Sequence, residues 1–446
     1  MSKPNPFIFG TATASFQIEG ALAEDGRTPC IWDTFCAQPG RVANGDNGSV
    51  ACDHYHRYKE DISLMAELGI DSYRFSIAWP RIFPRQGEYN EKGMRFYRSI
   101  LEELKRHGIS AAVTLYHWDL PQWAQDKGGW ENRECAGWFL EYADKCFEKL
   151  GGGVDMWITH NEPWCASFLS HFLGNHAPGN TNLEKALIVA HHLLLSHGMA
   201  VKRYREEAHN GKIGIVLNPA VVYAESDSFR DRLAQTIYDG CYNRWFLDPL
   251  FKKSYPADAA ALFAARCGTN FDFIHQGDFD VIAEPIDILG INFYARTVTR
   301  YNSAGYLLTA DGYADLPKTA MGWEVSPETL VDLMRMLRGK YTDLPVYITE
   351  NGCAFKDNIE NGSVNDTRRV DYLLRHLKAV EDINHEGLGI AGYYHWSFLD
   401  NFEWAHGYSK RFGLVYVDYD TQERIRKDSF YAYRDYISAK KKANKA

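Results

Sequence analysis

Eight short runs of β-branched and aromatic residues recur along this chain, each followed by a polar cluster and then by a stretch with helical spacing. The runs are Phe7–Ala12, Ser72–Ile77, Ser110–Tyr116, Met156–Thr159, Lys212–Leu217, Ile286–Asn292, Val346–Thr349 and Ile390–His395. Amphipathic stretches separate them, among them YKEDISLMAELG from Tyr58, GMRFYRSILEELKRHG from Gly93 and RRVDYLLRHLKAVEDI from Arg368. In the last, Val370, Leu373, Leu374, Leu377 and Val380 make one apolar stripe, the mark of a helix with one buried face. Gly69, Gly108 and Gly387 stand where helix C-caps are expected. Strands alternating with helices form βαβ units with parallel strands, and eight such units predict an α/β fold, a (β/α)8 TIM barrel with extended βα loops. The competing open, doubly wound sheet binds phosphate through a Gly-rich first turn; here the first strand runs into TATASFQIEG, without GxGxxG. At about 150 residues per domain, 446 residues suggest two or three domains. A barrel with long loops holds as many in one, however, and no linker or compositional break divides the chain. A single domain over 1–446 is expected.

Several classes of partner are disfavoured. The net charge of −9 is opposite to that of a nucleic-acid binder. No apolar run reaches the 18 or so residues of a membrane span. The opening MSKPNPFIFG lacks the pattern of a secretory leader, and nine scattered cysteines without a CxxC pair read as reduced thiols. These features predict a cytoplasmic protein acting on a small molecule, as a monomer or homo-oligomer, with no metal.

The informative positions are the strand ends. The first run is followed by Gln17, the second contains Arg74, the third ends in His117 and Trp118, and the fourth in Asn161 and Glu162. The sixth ends in Asn292 and Tyr294, the seventh in Glu350 and Asn351, and the eighth in Trp396, with Glu403 and Trp404 in the next loop. In a barrel all of these meet at the C-terminal mouth, where barrel enzymes carry their chemistry. Two glutamates across one cavity can cleave a glycosidic bond, one giving a proton to the departing oxygen and the other attacking the anomeric carbon. That chemistry needs one carboxyl neutral and the other ionised, and Arg74 and Tyr294 are candidates to keep one ionised. Gln17, His117, Asn161 and Glu403 offer the mixed donors and acceptors a polyol requires, and Trp396 and Trp404 offer a stacking wall. A strand-end glutamate taken alone reads as a surface charge; the pair amid such a rim does not.

The strings FGTATASFQIEGA, YRFSIAWPRIFP, LYHWDLPQW, WITHNEPW, GINFY, YITENG and HWSFLDNFEWAHGYSKRFGLVYVD resemble family 1 glycoside hydrolases of the β-glucosidase type, in family order from Phe7 to Tyr436. The resemblance implies retaining hydrolysis of β-glycosides without a cofactor. It implies Glu162 as acid/base and Glu350 as nucleophile, supported by Arg74 and Tyr294. Gln17, His117, Asn161, Asn292, Glu403 and Trp404 resemble ligands of the nonreducing-end sugar, with Trp118 and Tyr294 in the same substrate-binding set. Trp396 resembles the stacking platform and Trp323 the aromatic facing the leaving group. Thioglucosidases carry Gln at the place of Glu162, and phospho-β-glycosidases usually carry Ser at that of Glu403, so neither specialism is expected. The implied activity is release of terminal β-D-glucosyl residues from oligosaccharides such as cellobiose and from aryl glucosides, with galactosidase or fucosidase side activity. A transglycosylating enzyme or a non-catalytic sugar binder is the alternative. Loops around Trp164, His176, Trp323 and His406 are expected to select the leaving group. Retention requires the carboxyl groups about 5–5.5 Å apart, against roughly 6.5–9.5 Å for inversion.

Other clusters read as structural. Asp53, His54 and His56 suggest a helix start capped by Asp53 rather than a metal site. His191, His192 and His197 lack the HExxH arrangement and read as packed helix residues. Cys165 reads as a small apolar wall residue.

Overall fold

The computed structural model describes residues 6–207, 209–313 and 315–443; the first five residues, on which the leader reading partly rests, lie outside this set. Eight strands close into a barrel: β1 Ile8–Ala12, β2 Ser72–Ser76, β3 Ser110–Tyr116, β4 Met156–Asn161, β5 Lys212–Leu217, β6 Ile288–Asn292, β7 Val346–Asn351 and β8 Ile390–Trp396. Each pairs in parallel with its sequence neighbours, and β1 pairs with β8 to close the ring. All eight expected strands are present, with ends shifted by a few residues.

Strand alternation divides the side chains between two cores. Ala12, Ala112, Met156, Ile288, Tyr347, Tyr394 and Trp396 belong to one buried cluster inside the ring. Tyr73, Phe75, Val113, Trp157, Ile348 and Tyr393 belong to the larger cluster shared with the helices, as expected of strands covered on both faces.

The outer layer includes α1 His54–Leu68, α2 Glu91–Arg106, α3 Glu134–Leu150, α4 Leu183–Glu206, α5 Leu330–Lys340, α6 Thr367–His385 and α7 Asp428–Ala443. Gly69, Gly108 and Gly387 have φ of 80°, 69° and 79°, the left-handed geometry that ends a helix. The predicted stripe of α6 needs correction. Leu373, Leu377 and Val380 are buried, but Val370 is half-buried and Leu374 is 39% exposed. Arg369, Tyr372, His376 and Ile383 complete the buried face instead. Arg369 is buried because Asp357 and Asp366 pair with it there. Asp53 also departs from expectation: its side chain caps no backbone N–H and instead accepts from His56 and Arg57.

Two register irregularities aim the mouth. The β4–β5 pairing slips between Ile158 and Asn161, and the β7–β6 pairing slips between Ile348 and Glu350. Such bulges turn a side chain onto the other face of a sheet.

Candidate active site

A cavity of about 600 Å³ opens at the C-terminal ends of the strands, lined by Glu162, Glu350, Glu403, His117, Trp118, Tyr294, Trp323, Trp396 and Trp404 among others, within the size range of small-molecule sites. Glu350 points inward because of the β7 slip. Tyr347 faces the barrel interior, so strict alternation would send Glu350 outward and Asn351 inward. Instead, Arg74 Nη1 donates to Glu350 Oε1 over 2.7 Å and the Tyr294 hydroxyl to Oε2 over 2.7 Å. Asn351 turns away, donating to the Phe293 carbonyl and accepting from Tyr393; it flanks the glutamate in sequence only.

Glu162 stands across the cavity at φ 48°. Trp118 (φ 77°) and Trp404 (φ 48°) share this left-handed conformation, a costly one for non-glycine residues that recurs at functional sites. Asn292 Nδ2 donates to Glu162 Oε1 over 2.6 Å, and Cys165 Sγ lies 2.9 Å from Oε2. The Asn292 carboxamide is oriented by Thr349, whose hydroxyl donates to Asn292 Oδ1. Arg74 Nη2 donates to Asn161 Oδ1, and Asn161 Nδ2 meets His117 Nε2 at 3.2 Å. One hydrogen-bonded chain thus joins β2, β3, β4, β6 and β7 around the mouth.

The electrostatics separate the two glutamates. Burial, and then the Glu350 charge, push Glu162 up to about 7. Burial also raises Glu350, but Arg74 and Tyr294 oppose it. Glu350 therefore ionises first, and Glu162 keeps its proton near neutrality. His117 is held well below its ordinary value by burial and then by Arg74, so its ring is neutral. Burial, then Glu350 and Glu162, push Glu403 up to about 8.

On the far wall Gln17 Nε2 donates to Asn401 Oδ1 and the Phe402 carbonyl. Gln17 Oε1 and Glu403 Oε2 are buried without a protein partner among the described residues, and buried polar atoms of this kind mark a place for ligand or solvent hydrogen bonds. The His117 ring is nearly parallel to those of Trp396 and Trp404, at 12° and 14°. A Cβ on Gly352 would fall 1.6 Å from the Trp396 carbonyl oxygen, so only glycine lets the β7 and β8 ends approach this closely.

This arrangement can bind a polyhydroxylated ring and deliver a proton on one side and a carboxylate on the other. A family model described as glycosyl hydrolase family 1 matches residues 2–442. The chain belongs to glycosyl hydrolase family 1. It is 47% identical over 439 residues to beta-glucosidase A of Acetivibrio thermocellus, covering 97% of this chain and 98% of that one. It is 42% identical to a bifunctional beta-D-glucosidase/beta-D-fucosidase of Bifidobacterium breve, covering 98% of each. Among solved structures, the GH1 beta-glucosidase of Exiguobacterium antarcticum superposes with a TM-score of 0.97 at 55% identity over 99% of both chains.

Of the predicted site residues, Glu162, Glu350, His117, Trp118, Tyr294, Trp323, Trp396, Glu403 and Trp404 line this mouth, and Arg74, Asn161 and Asn292 belong to the hydrogen-bond chain behind it, whereas Gln17 is buried against Asn401 and Phe402. Of the residues expected around the leaving group, His176, Trp323 and His406 line the cavity of this family 1 chain. Trp164 packs on Phe168 and Tyr242 instead. Sequence reasoning missed Phe35, Arg41, Asn175, Met321 and Phe412, which also line the rim; Phe35 sits in a short helix, Ile31–Cys36, and the other four in loops with no periodic signal. It also took Cys165 for an apolar wall, whereas its sulfur contacts Glu162. The histidine clusters are accounted for by protein partners. His54 pairs with Asp61, His191 with Asp278 and His197 with Thr159. No group of three or more candidate metal ligands occurs among the described residues.

Proposed function

We infer that this protein is a retaining β-glucosidase that removes terminal nonreducing β-D-glucosyl residues from short oligosaccharides and aryl glucosides, with Glu350 as nucleophile and Glu162 as acid/base. The reading is carried by the asymmetry of the pair: Glu350 is held by the Arg74 guanidinium and the Tyr294 hydroxyl, Glu162 by an amide and a thiol. The Glu350 carboxylate attacks the anomeric carbon while Glu162 gives its proton to the leaving oxygen, and the glycosidic bond breaks. The product is a glycosyl ester on Glu350. Glu162, now ionised, takes a proton from water as the water oxygen bonds to the anomeric carbon; the ester opens and the β-configured sugar leaves.

The glycone contacts fall to Gln17, His117, Asn161, Asn292, Glu403 and Trp404, over the Trp396 platform, with Trp118 and Tyr294 beside them and Trp323 toward the leaving group. A protonated Glu403 would donate one hydroxyl contact and accept another, which suits vicinal sugar hydroxyls. The relative named for both glucosidase and fucosidase action supports tolerance at the sugar's 4- and 6-positions. The nine free cysteines fit a reducing cytoplasm. No helix among the described residues is long and apolar enough to cross a membrane. The whole chain acts as one catalytic domain in this reading.

The deciding experiment is trapping with a 2-deoxy-2-fluoroglucoside followed by peptide mapping. Label on Glu350, with cellobiose and 4-nitrophenyl β-glucoside both turned over, is expected. Label on another residue, or none in an enzyme of proven turnover, overturns the assignment.

A further inference from the structure

Cys165 opens a π-helical turn, Cys165–Leu169, four residues after Asn161 ends β4, and such single turns recur at functional sites. The turn sets Cys165 three residues beyond Glu162 with its sulfur 2.9 Å from Glu162 Oε2, within hydrogen-bonding distance. The sulfur is met from its other side by Asn218 Nδ2 at 3.5 Å, just past the end of β5. That amide donates to sulfur, which leaves the S–H free to point at Glu162.

Which oxygen it points at matters. Oε1 is occupied by the Asn292 N–H, and Thr349 fixes the orientation of that carboxamide. Oε1 is therefore an acceptor throughout, and the transferable proton resides on Oε2, beside the sulfur. Burial, and then Glu162, raise the thiol well above its ordinary range, so it stays a neutral S–H donor. A thiol is a weak donor and a weak acceptor. It can accept from Oε2–H before the first step and donate to the carboxylate after it.

We propose that Cys165 is a positioning residue for the acid/base: oriented by Asn218, its thiol holds Glu162 Oε2 in place and stabilises the ionised form that activates water in the second step. The proposal rests on the acid/base role of Glu162 given above and extends it to a neighbour that touches no sugar.

The test compares Cys165→Ser, which keeps a donor, with Cys165→Val and Cys165→Ala, which do not. Two readouts are used: kcat on 2,4-dinitrophenyl β-glucoside, for which ester breakdown limits turnover, and the alkaline limb of kcat/KM. The Val and Ala variants are expected to lose roughly three- to tenfold in kcat, the range of an ordinary net hydrogen bond, and to move the alkaline limb to higher pH. Ser is expected to hold both near wild type. Using Ala beside Val guards against a packing fault in either. Equal kcat losses in all three variants with an unmoved limb would reduce Cys165 to a packing role and overturn the proposal, as would no change in any. Glu162→Gln is run alongside: if it keeps the wild-type alkaline limb, the acid/base reading itself fails, and that outcome is distinct from a silent Cys165.

Discussion

Arg74 Nη1 stands 2.7 Å from Glu350 Oε1, both side chains buried inside the barrel mouth. It is the one cation hydrogen-bonded to any of the three cavity glutamates among the described residues, and it serves only Glu350 directly. The electrostatic asymmetry between the carboxyl groups follows from where this guanidinium points.

Replacing the partner of Arg74 gives the sharpest outcome. Glu350→Gly should lower kcat on the order of 10⁴-fold or more, as removal of a covalent nucleophile does. Added azide should restore turnover of an activated aryl glucoside by entering the vacated face, with α-glucosyl azide as the product seen by NMR.

Loss of the proton donor should depend on the leaving group. Glu162→Gln should cost about 10²–10⁴-fold on alkyl glucosides and cellobiose, the usual contribution of general acid catalysis, and far less on 2,4-dinitrophenyl glucoside in the first step. A plot of log(kcat/KM) against leaving-group pKa should be much steeper than for wild type.

The pH profile should be a bell belonging to the coupled pair. Glu162 must carry a proton in the first step and is pushed up to about 7, so kcat/KM should fall as the pH rises through that region. Glu350 must be ionised and is itself raised by burial, so the acid limb should lie above the ordinary glutamate value. Glu162→Gln should remove the alkaline limb and leave the acid limb.

The eight strands and the converging strand ends were legible because period-2 and helical patterns and short motifs carry them. The inward turn of Glu350 was not: alternation from Tyr347 points it outward, and only the slip after Ile348 reverses it. The motif located the residue but gave no physical reason for its direction. The same limit applies to Asn351, which follows Glu350 at the strand end and whose side chain faces Tyr393. Leu374 misled for a different reason: an ion-paired Arg369 took a buried place that hydrophobicity alone would give to leucine. The rim residues Arg41, Asn175 and Met321 come from irregular loops, where no period exists to read.

The seat of the eighth loop offers a stability test. Buried Lys427 pairs with Asp400 Oδ1 at 2.7 Å and with Asp357, and Asp400 also holds Arg411 and the Gly413 N–H. Lys427→Met leaves two carboxylates buried with less compensation, which should cost about 3–5 kcal/mol, read by denaturant unfolding. Burial raises the Asp400 carboxyl, but Lys427, Arg411 and Arg369 outweigh it and hold the group below its ordinary value. A depressed carboxylate stabilises the fold above its unfolded pKa and stops doing so as the pH falls through its folded one. Wild type should therefore lose this contribution on acidification, and Lys427→Met should show a flatter acid dependence.

The contact at Gly352, where a single added carbon would collide with the Trp396 carbonyl, ties the strand end that carries Glu350 to the one that carries Trp396. Selection or engineering for new acceptors has no latitude along that seam. Variation is confined to the outer loops around Arg41, His176, Trp323 and His406, so catalysts descended from this chain should diverge in what they release while keeping how they cut.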